Sequence, residues 1–188
     1  MADIKTINGL GFESSISSSI IEEKCFKVAM DLNTLYREET KPVHVICVLN
    51  GAMMFCSELM KYFTFPMILD TVKIVSYNGT QSGRLEMTKK PDLPITKDEK
   101  ILIVEDIVDT GQTIDFMLKY ISKANIYIPV TVATLLLKNQ VFEKNHKLDE
   151  YPAEIYYGMK IKNDFVVGFG LDYDGLGRNL NGIYKLIQ

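Results

Sequence analysis

The segment from Ile101 to Thr113, with the sequence ILIVEDIVDTGQT, constrains the fold of this chain more than any other. Its first four residues are apolar and β-prone, which is the pattern of a central strand buried on both faces of a parallel sheet. A hydroxyl-rich turn follows, and apolar residues then recur at Phe116, Met117, Tyr120 and Ile121, which indicates a helix. The segment therefore predicts a strand, a turn and a helix in immediate succession.

The turn at the end of this segment is typical of a phosphate-binding site, because the backbone N–H groups that open a helix converge on one point. It is not a P-loop, since Gln112 and Thr113 follow Gly111 where a P-loop has Lys and then Ser or Thr. It also lacks the three glycines of a dinucleotide-binding fingerprint. The alternative is purely structural, with Asp109 serving as the N-cap of the helix.

Three carboxylates surround this turn, at Glu105, Asp106 and Asp109. They would repel a phosphate group, so they must face another part of the ligand. Ribose hydroxyl groups and a bound divalent cation are the natural candidates, because carboxylate oxygens both accept hydrogen bonds and coordinate hard cations.

Residues 104–113, VEDIVDTGQT, resemble the phosphoribosyl-diphosphate-binding motif of the type I phosphoribosyltransferases. From about Ser19 to Leu186 the chain is similar to the hypoxanthine-guanine phosphoribosyltransferase family. The resemblance implies that Asp109 is the catalytic acid/base at purine N7. It also implies that Glu105 and Asp106 hold the ribose hydroxyls or their metal. The residues implied to bind the 5′-phosphate are Asp109, Thr110, Gly111, Gln112 and Thr113.

A second strand, turn and helix precedes this segment, with a strand over His44–Leu49 and a helix from Ala52 to Phe63. By the same logic Asn50 and Gly51 form a second anion site, although a structural turn is the alternative. In the family the matching loop contacts pyrophosphate, often with a Lys before the Gly. This chain has Asn50 there, so a side-chain cation is missing while backbone contacts near Gly51 remain.

Residues 76–100 show no helical or strand periodicity after a predicted strand over Met67–Val75. A structureless segment of this length in a compact domain is usually a lid or a disordered region. The resemblance implies a mobile lid in which Ser76 and Tyr77 close over the reacting centre and exclude water. A two-stranded hairpin that only covers the surface is the alternative.

Lys138 follows a predicted strand over Pro129–Leu137, and taken alone it would be a solvated surface lysine. The resemblance implies instead that Lys138 donates a hydrogen bond to the 6-oxo group of a purine. A 6-amino group does not accept such a bond, so this contact favours 6-oxopurines. Phe165 offers a flat face to the base, and the backbone N–H and C=O of Val166 are suited to its edge.

Asp172 lies in a Leu-Asp-Tyr sequence that fits the family's metal site beside the purine, and a glycine-rich loop then leads to Arg178. The resemblance implies that Asp172 faces Mg²⁺ and that the guanidinium of Arg178 binds pyrophosphate oxygens. Each residue taken singly also has a structural interpretation: Asp172 as a surface acid, Arg178 as a surface base and Phe165 as a core aromatic.

Alternating strands and helices predict an α/β fold with a mainly parallel twisted sheet flanked by helices, in a single domain over residues 1–188. The terminal segments are expected to form a small hood that carries the base pocket. Ser19 and Glu22 predict a capping box at the start of a helix that runs to about Glu39. Residues 182–187 are expected to close the main sheet.

The net charge of −3 gives no basic field for nucleic acid or a membrane surface. Three cysteines without paired spacing, and the lack of a signal peptide or a long apolar segment, predict a cytoplasmic protein with buried thiols. Neither His44 nor His146 has support as a metal ligand. The resemblance implies a Mg²⁺ cofactor, 5-phosphoribosyl 1-diphosphate and a 6-oxopurine as substrates, and a homodimer or homotetramer.

Two other functions fit parts of this pattern. One is a sister transferase acting on xanthine or adenine; Lys138 argues against adenine and hardly against xanthine. The other is a non-catalytic regulator that binds nucleotide and RNA. The acid at Asp109, the pair of Asp172 and Arg178, and the lack of a basic patch speak against a regulator.

Overall fold

The computed structural model describes residues 3–77, 84–96, 99–123, 128–147 and 151–187. Elements are numbered in chain order. The helices are α1 (Ser18–Leu35), α2 (Met53–Met60), α3 (Gln112–Ser122) and α4 (Asn139–Phe142). The strands are β1 (Ile4–Ile7), β2 (Leu10–Ile16), β3 (Val43–Leu49), β4 (Met67–Tyr77), β5 (Arg84–Lys89), β6 (Ile101–Val108), β7 (Val130–Leu137), β8 (Glu154–Lys160), β9 (Val166–Val167) and β10 (Ile183–Leu186).

The larger sheet has six strands in the order β5-β4-β3-β6-β7-β8, and every neighbouring pair is parallel except β4 and β5. From β3 the chain crosses to β4 on one side, and from β6 it crosses to β7 on the other. The order of strands therefore reverses between β3 and β6, and ligands of open α/β sheets bind at the carboxyl ends of the strands at such a point. The predicted α/β fold with a mainly parallel sheet is confirmed.

Each face of this sheet is covered by helices and has its own apolar core. On one face α1 and α2 pack against it through residues such as Leu32 and Phe55, and on the other α3 packs through Met117 and α4 through Phe142. All eight residues of β7 are buried, as a central strand covered on both sides requires. This burial fixes the register of β6 and β7, and therefore also the position of the loops that follow the two strands.

The smaller sheet joins the two ends of the chain, in the antiparallel order β1-β2-β10-β9, and is called the hood sheet below. Its own core contains Ile7, Phe12, Val167 and Tyr184. The expectation that residues 182–187 close the main sheet was wrong, because β10 pairs with β2 and β9 instead. The first two strands have many exposed positions, including Ile4 and Leu10, so they carry no clean apolar pattern.

Helix α1 begins two residues earlier than predicted, and the predicted capping box is wrong. The N-cap is Ser17, whose hydroxyl accepts a hydrogen bond from Ile20 N at 3.4 Å. Strand β2 continues to Ile16, so the helix has to start directly after it. The serine-rich sequence supplies an N-cap at that position, and the helix ends at Leu35 rather than near Glu39.

The segment expected to be structureless contains strand β5, which forms a hairpin with the second half of β4. This corresponds to the hairpin alternative. Strand β5 lies at the edge of the sheet and is short, so its alternation rests on only two apolar residues, Leu85 and Met87. Residues 78–83 and 97–98 of the predicted lid lie outside the described residues. Among the helices that the structure describes, none is long and apolar enough to cross a membrane.

Candidate active site

The carboxyl ends of β3, β6 and β7 are adjacent, so the loops that follow them meet at one edge of the main sheet. A cavity of about 310 Å³ opens there. Ser76 lines it from the end of β4, and Tyr77 is the last residue of that strand. The cavity is lined by Ser76, Leu85 and residues 105–114. The cavity therefore brings the predicted phosphate turn together with the acidic end of β6.

The phosphate turn, defined as residues 109–113, opens α3 with Gly111 as its N-cap. Gly111 has a φ of 84°, a left-handed conformation that favours glycine, and α3 has no side-chain cap. Asp109 is not the N-cap, so the purely structural interpretation of that residue is wrong. Because no side chain occupies them, the first N–H groups of α3 are available to an anion, and the helix dipole adds to their attraction.

Glu105 and Asp106 form a carboxylate pair within β6, in which Glu105 is buried and Asp106 is half-buried. Glu105 is only 6% exposed; its Oε1 accepts a hydrogen bond from Asp106 N at 3.2 Å, and its Oε2 is buried without any hydrogen-bond partner. Burial raises the pKa of Glu105 well above its ordinary value, and the negative charge of Asp106 adds to that rise. Burial also raises the pKa of Asp106, although Asp106 Oδ1 accepts a hydrogen bond from Ile107 N.

The unpartnered Oε2 of Glu105, beside the half-buried carboxylate of Asp106, provides oxygen ligands of the kind that a hard divalent cation prefers. No group of three potential metal ligands exists within the described ranges. Mg²⁺ commonly binds through one or two carboxylates and completes its coordination with substrate phosphates and water. The residues present at the end of β6 therefore fit a magnesium ion that shares its coordination with a phosphorylated substrate.

Gly51 connects the loop after β3 to both β6 and the hood side of the molecule. A Cβ atom on Gly51 would overlap the carboxylate of Asp106, and one on Gly170 would overlap the Gly51 carbonyl oxygen. These two glycines allow three backbone segments to approach closely. Asn50 is exposed at the same loop, and the peptide bond between Leu49 and Asn50 is cis.

Asp172 and Arg178 are brought to this loop, where they form an ion pair with each other. Arg178 Nη2 lies 2.6 Å from Asp172 Oδ1, and Arg178 Nη1 donates to the carbonyl oxygen of Gly170 at 2.6 Å. The other carboxylate oxygen of Asp172 accepts a hydrogen bond from Gly175 N at 2.7 Å. The charge of Arg178 also lowers the pKa of Asp106, against the larger effect of burial. The charged groups of Asp172, Arg178 and Asp106 therefore influence one another.

Asp109, which lines the cavity, forms an ion pair with Lys138 at the end of β7, with an Nζ–Oδ2 distance of 2.8 Å. Lys138 is 7% exposed, so the interpretation as a solvated surface lysine is wrong. Its Nζ also lies 3.4 Å from Asn163 Oδ1, a contact that the sequence did not suggest. Asn163 lies two residues before Phe165 and ties the end of β7 to the predicted base-binding loop.

Phe165 is 46% exposed, and its ring forms a T-shaped pair with that of Tyr173, with centroids 5.7 Å apart. Its carbonyl oxygen accepts a hydrogen bond from Leu186 N. Because hydrogen-bonded and non-hydrogen-bonded pairs alternate in an antiparallel ladder, the next pair, Val166 and Lys185, is non-hydrogen-bonded. The N–H and C=O of Val166 therefore point away from β10, on an edge strand, where a ligand can reach them.

Comparison with known proteins agrees with this geometry. Residues 18–174 match the phosphoribosyl transferase domain family, so the parallel sheet and phosphate turn define a phosphoribosyltransferase. The chain is 32% identical over 173 residues to the hypoxanthine-guanine phosphoribosyltransferase of Mycoplasma genitalium, covering 88% of this chain and 90% of that protein. The chain belongs to the hypoxanthine-guanine phosphoribosyltransferase family, and it is a purine phosphoribosyltransferase.

Solved structures support the same assignment. A hypoxanthine phosphoribosyltransferase from Staphylococcus aureus superposes with a TM-score of 0.80 at 29% identity, covering 93% of this chain and 91% of that one. The hypoxanthine phosphoribosyltransferase from Trypanosoma cruzi, solved in complex with the product IMP, gives a TM-score of 0.79 at 26% identity over 97% of both chains. The fold is therefore similar to that of both enzymes over nearly the whole chain.

Proposed function

We propose that this enzyme transfers the phosphoribosyl group of 5-phosphoribosyl 1-diphosphate to hypoxanthine or guanine, releasing pyrophosphate and forming IMP or GMP in purine salvage. The observation that carries this proposal is the ion pair between Lys138 and Asp109, 2.8 Å apart at the ends of β7 and β6. One is a donor suited to a 6-oxo group and the other a base suited to N7. A bound 6-oxopurine presents both of these atoms on one edge, so it can replace the ion pair with two hydrogen bonds.

In the proposed reaction the purine N9 forms a bond to the anomeric carbon of the ribose, and the bond from that carbon to the pyrophosphate oxygen breaks. Positive charge develops on the ribose and negative charge on the pyrophosphate. The purine loses one proton, which we assign to the carboxylate of Asp109 at N7. The 42% exposure of the Asp109 side chain supports this role, because a ligand in the cavity can reach it.

The donor occupies the remaining groups of the site. The phosphate turn binds the 5′-phosphate through Thr110, Gly111, Gln112 and Thr113, while Glu105 and Asp106 hold the ribose 2′- and 3′-hydroxyls. A magnesium ion held by Asp172, Glu105 or Asp106 would neutralise the charge that builds up on the leaving pyrophosphate. The unpartnered Oε2 of Glu105 supports the presence of such a ligand.

We assign the leaving group to the region between the loop at Gly51 and the loop over residues 170–178. The backbone around Gly51 and the guanidinium of Arg178 stabilise the pyrophosphate oxygens as their charge increases. Arg178 pairs with Asp172 without the substrate, so pyrophosphate competes with that carboxylate for the guanidinium. The exposed side chain of Asn50 supplies no positive charge here, which leaves Arg178 as the cationic side chain of this subsite.

Base selectivity follows from Lys138. Adenine carries an amino group at position 6, which offers no acceptor to the lysine, whereas hypoxanthine, guanine and xanthine all carry the oxo group. Xanthine use is therefore decided by other contacts, around Phe165 and Val166. Three buried cysteines without disulfides support a reducing cytoplasmic location, and a homodimer or homotetramer remains a prediction from the family.

The test is turnover with Mg²⁺, 5-phosphoribosyl 1-diphosphate and four bases measured separately. We expect hypoxanthine and guanine to be converted and adenine not to be. Adenine conversion at a comparable rate would remove the role assigned to Lys138. Binding of the donor without conversion of any base would indicate a regulator in place of an enzyme acting on these bases.

A further inference from the structure

Two aromatic rings, of Phe142 and His146, lie beside the phosphate turn, and neither lines the cavity. A Cβ built on Gly111 would lie 2.9 Å from His146 Nε2 and 2.9 Å from Phe142 Cε2. The two rings are themselves in contact, with centroids 4.7 Å apart. The backbone of the central residue of the turn therefore rests directly against the imidazole and the phenyl ring.

Asp115 connects the same imidazole to α3. The N–H of Asp115 donates to the carbonyl oxygen of Gly111 at 2.9 Å, which is the first hydrogen bond of the helix. Its carboxylate has two partners: Oδ2 lies 3.3 Å from His146 Nε2, and Oδ1 accepts a hydrogen bond from the hydroxyl of Tyr151 at 2.6 Å. Burial and this carboxylate raise the pKa of Tyr151, so its hydroxyl stays a donor.

The phosphate turn needs such support because its central residue, Gly111, has no side chain to restrict its backbone conformation. Glycine has more accessible backbone conformations than any other residue type. Restricting Gly111 to one of them when a ligand binds therefore costs free energy. Several N–H groups bind one phosphate strongly only when they already converge on it. Contacts that fix Gly111 from behind therefore strengthen phosphate binding without touching the phosphate.

The segment that carries His146 starts at the base-binding lysine. The carbonyl oxygen of Lys138 accepts a hydrogen bond from Phe142 N at 2.9 Å, and the carbonyl oxygen of Phe142 accepts one from His146 N at 3.1 Å. Lys138 N in turn donates to Val108 O at 2.9 Å, at the end of β6. One short helix thus fixes the position of Lys138 and supports the turn.

We propose that His146 is a positioning residue for the donor's 5′-phosphate: held by Asp115, its ring keeps Gly111 and the start of α3 in the conformation that binds the phosphate. Tyr151 contributes to the same arrangement by orienting Asp115. His146 itself contacts neither the substrate nor the reacting atoms. The proposal rests on the proposed function, because that function places the 5′-phosphate at this turn.

The test compares wild-type enzyme with His146→Ala, His146→Gln, Tyr151→Phe and, as a matched control, Asn145→Ala. Asn145 precedes His146 and its side chain is exposed. We expect His146→Ala to raise the KM for 5-phosphoribosyl 1-diphosphate about tenfold, because the ring behind Gly111 and its contact with Asp115 are both lost. The KM for hypoxanthine and kcat should change little. His146→Gln, which keeps a donor for Asp115, and Tyr151→Phe should give smaller increases.

This pattern separates positioning from a loss of folded protein, since partial unfolding lowers apparent kcat and leaves both KM values unchanged. A donor KM equal to that of Asn145→Ala in all three variants would overturn the proposal while the proposed function stands. If His146→Ala does not fold, the donor KM values of His146→Gln and Tyr151→Phe test the proposal instead. If the wild-type enzyme converts no base, calorimetric affinities of wild type and His146→Gln for 5-phosphoribosyl 1-diphosphate decide the positioning role independently.

Discussion

The Cα of Gly51 lies directly against the carboxylate of Asp106, so closely that a Cβ at residue 51 would overlap Asp106 Oδ2. The contact joins the ends of β3 and β6, the two strands between which the order of the sheet reverses. The loop proposed to bind pyrophosphate and the carboxylate proposed to hold ribose or metal therefore cannot move independently.

Replacing Gly51 with Ala should reduce kcat/KM for the donor by about a hundredfold or more, because displacing a reacting group by about 1 Å costs this much. The measurement is steady-state kinetics with hypoxanthine in excess. Gly11→Ala is the control, since a Cβ there would approach only the terminal carbon of the Ile187 side chain, at 3.3 Å. Equal activity of the Gly51 and Gly11 variants would mean that the loop adapts freely.

Asp109→Asn should lower kcat by about 10²- to 10⁴-fold, the usual contribution of one acid/base group. The variant should remain folded, because the Asp109 side chain is partly exposed and makes no helix cap. Turnover at saturating substrates checks this, with Asp31→Asn on α1 as a control for the same chemical change far from the cavity. Near-normal turnover in the Asp109 variant would remove its catalytic role.

Lys138→Ala should lower kcat/KM for hypoxanthine and guanine by about 10- to 100-fold, because a hydrogen bond from a charged donor is lost. The effect on any residual adenine conversion should be smaller, since adenine makes no such bond. Lys144→Ala, an exposed lysine after α4, is the matched control. A uniform loss over all bases would indicate that Lys138 acts only by holding Asp109.

Removing divalent cations with a chelator should abolish turnover, and adding Mg²⁺ should restore it. The melting temperature should respond differently: Mg²⁺ alone should not change it, because no group of three metal ligands exists in the part of the chain that the structure describes. Mg²⁺ and the donor together should raise it, since a ligand that binds the folded state stabilises that state. A clear increase with Mg²⁺ alone would contradict a metal site that is completed by substrate.

Cys25 should react slowly with thiol reagents in the folded protein. Burial raises the pKa of its thiol to about 12 from an ordinary value of 9.0, so at pH 8 the reactive thiolate fraction falls about a thousandfold. Labelling of the native protein followed by mass spectrometry measures the rate, and urea-unfolded protein is the reference. The sign of the shift also means that the thiol contributes stability below pH 9 that is lost as the pH rises towards 12.

The central part of the fold could be predicted from the sequence because burial there leaves a local pattern. The first four residues of β6 and most of β7 are apolar, since helices cover these strands on both faces. Strands β1, β2 and β5 escaped prediction because much of their surface faces solvent, and their polar positions hide the alternation. Their structure depends on pairing with distant residues, such as β2 with β10, which no local window contains.

The same distinction applies to the site. The residues of the phosphate turn follow one another in the sequence, so the motif is visible without a structure. The contacts of Asn163 with Lys138, of Gly170 with Gly51 and of His146 with Gly111 join residues that are far apart in the chain. Of these three contacts, the one made by Gly170 leaves a trace in the local sequence, because a glycine is typical of a residue with a positive φ. The glycine does not reveal that its partner is Gly51.

The hood sheet has a consequence for how the enzyme is made. Strand β2 has its partner in β10, about 170 positions further along the chain, so a chain still being synthesised lacks this pairing until residues 183–186 have left the ribosome. The main sheet and its phosphate turn are complete in sequence well before then. Because such long-range pairing forms late, the hood sheet is the last part of the fold to be completed, and the edge of β2 that faces β10 stays unpaired until then.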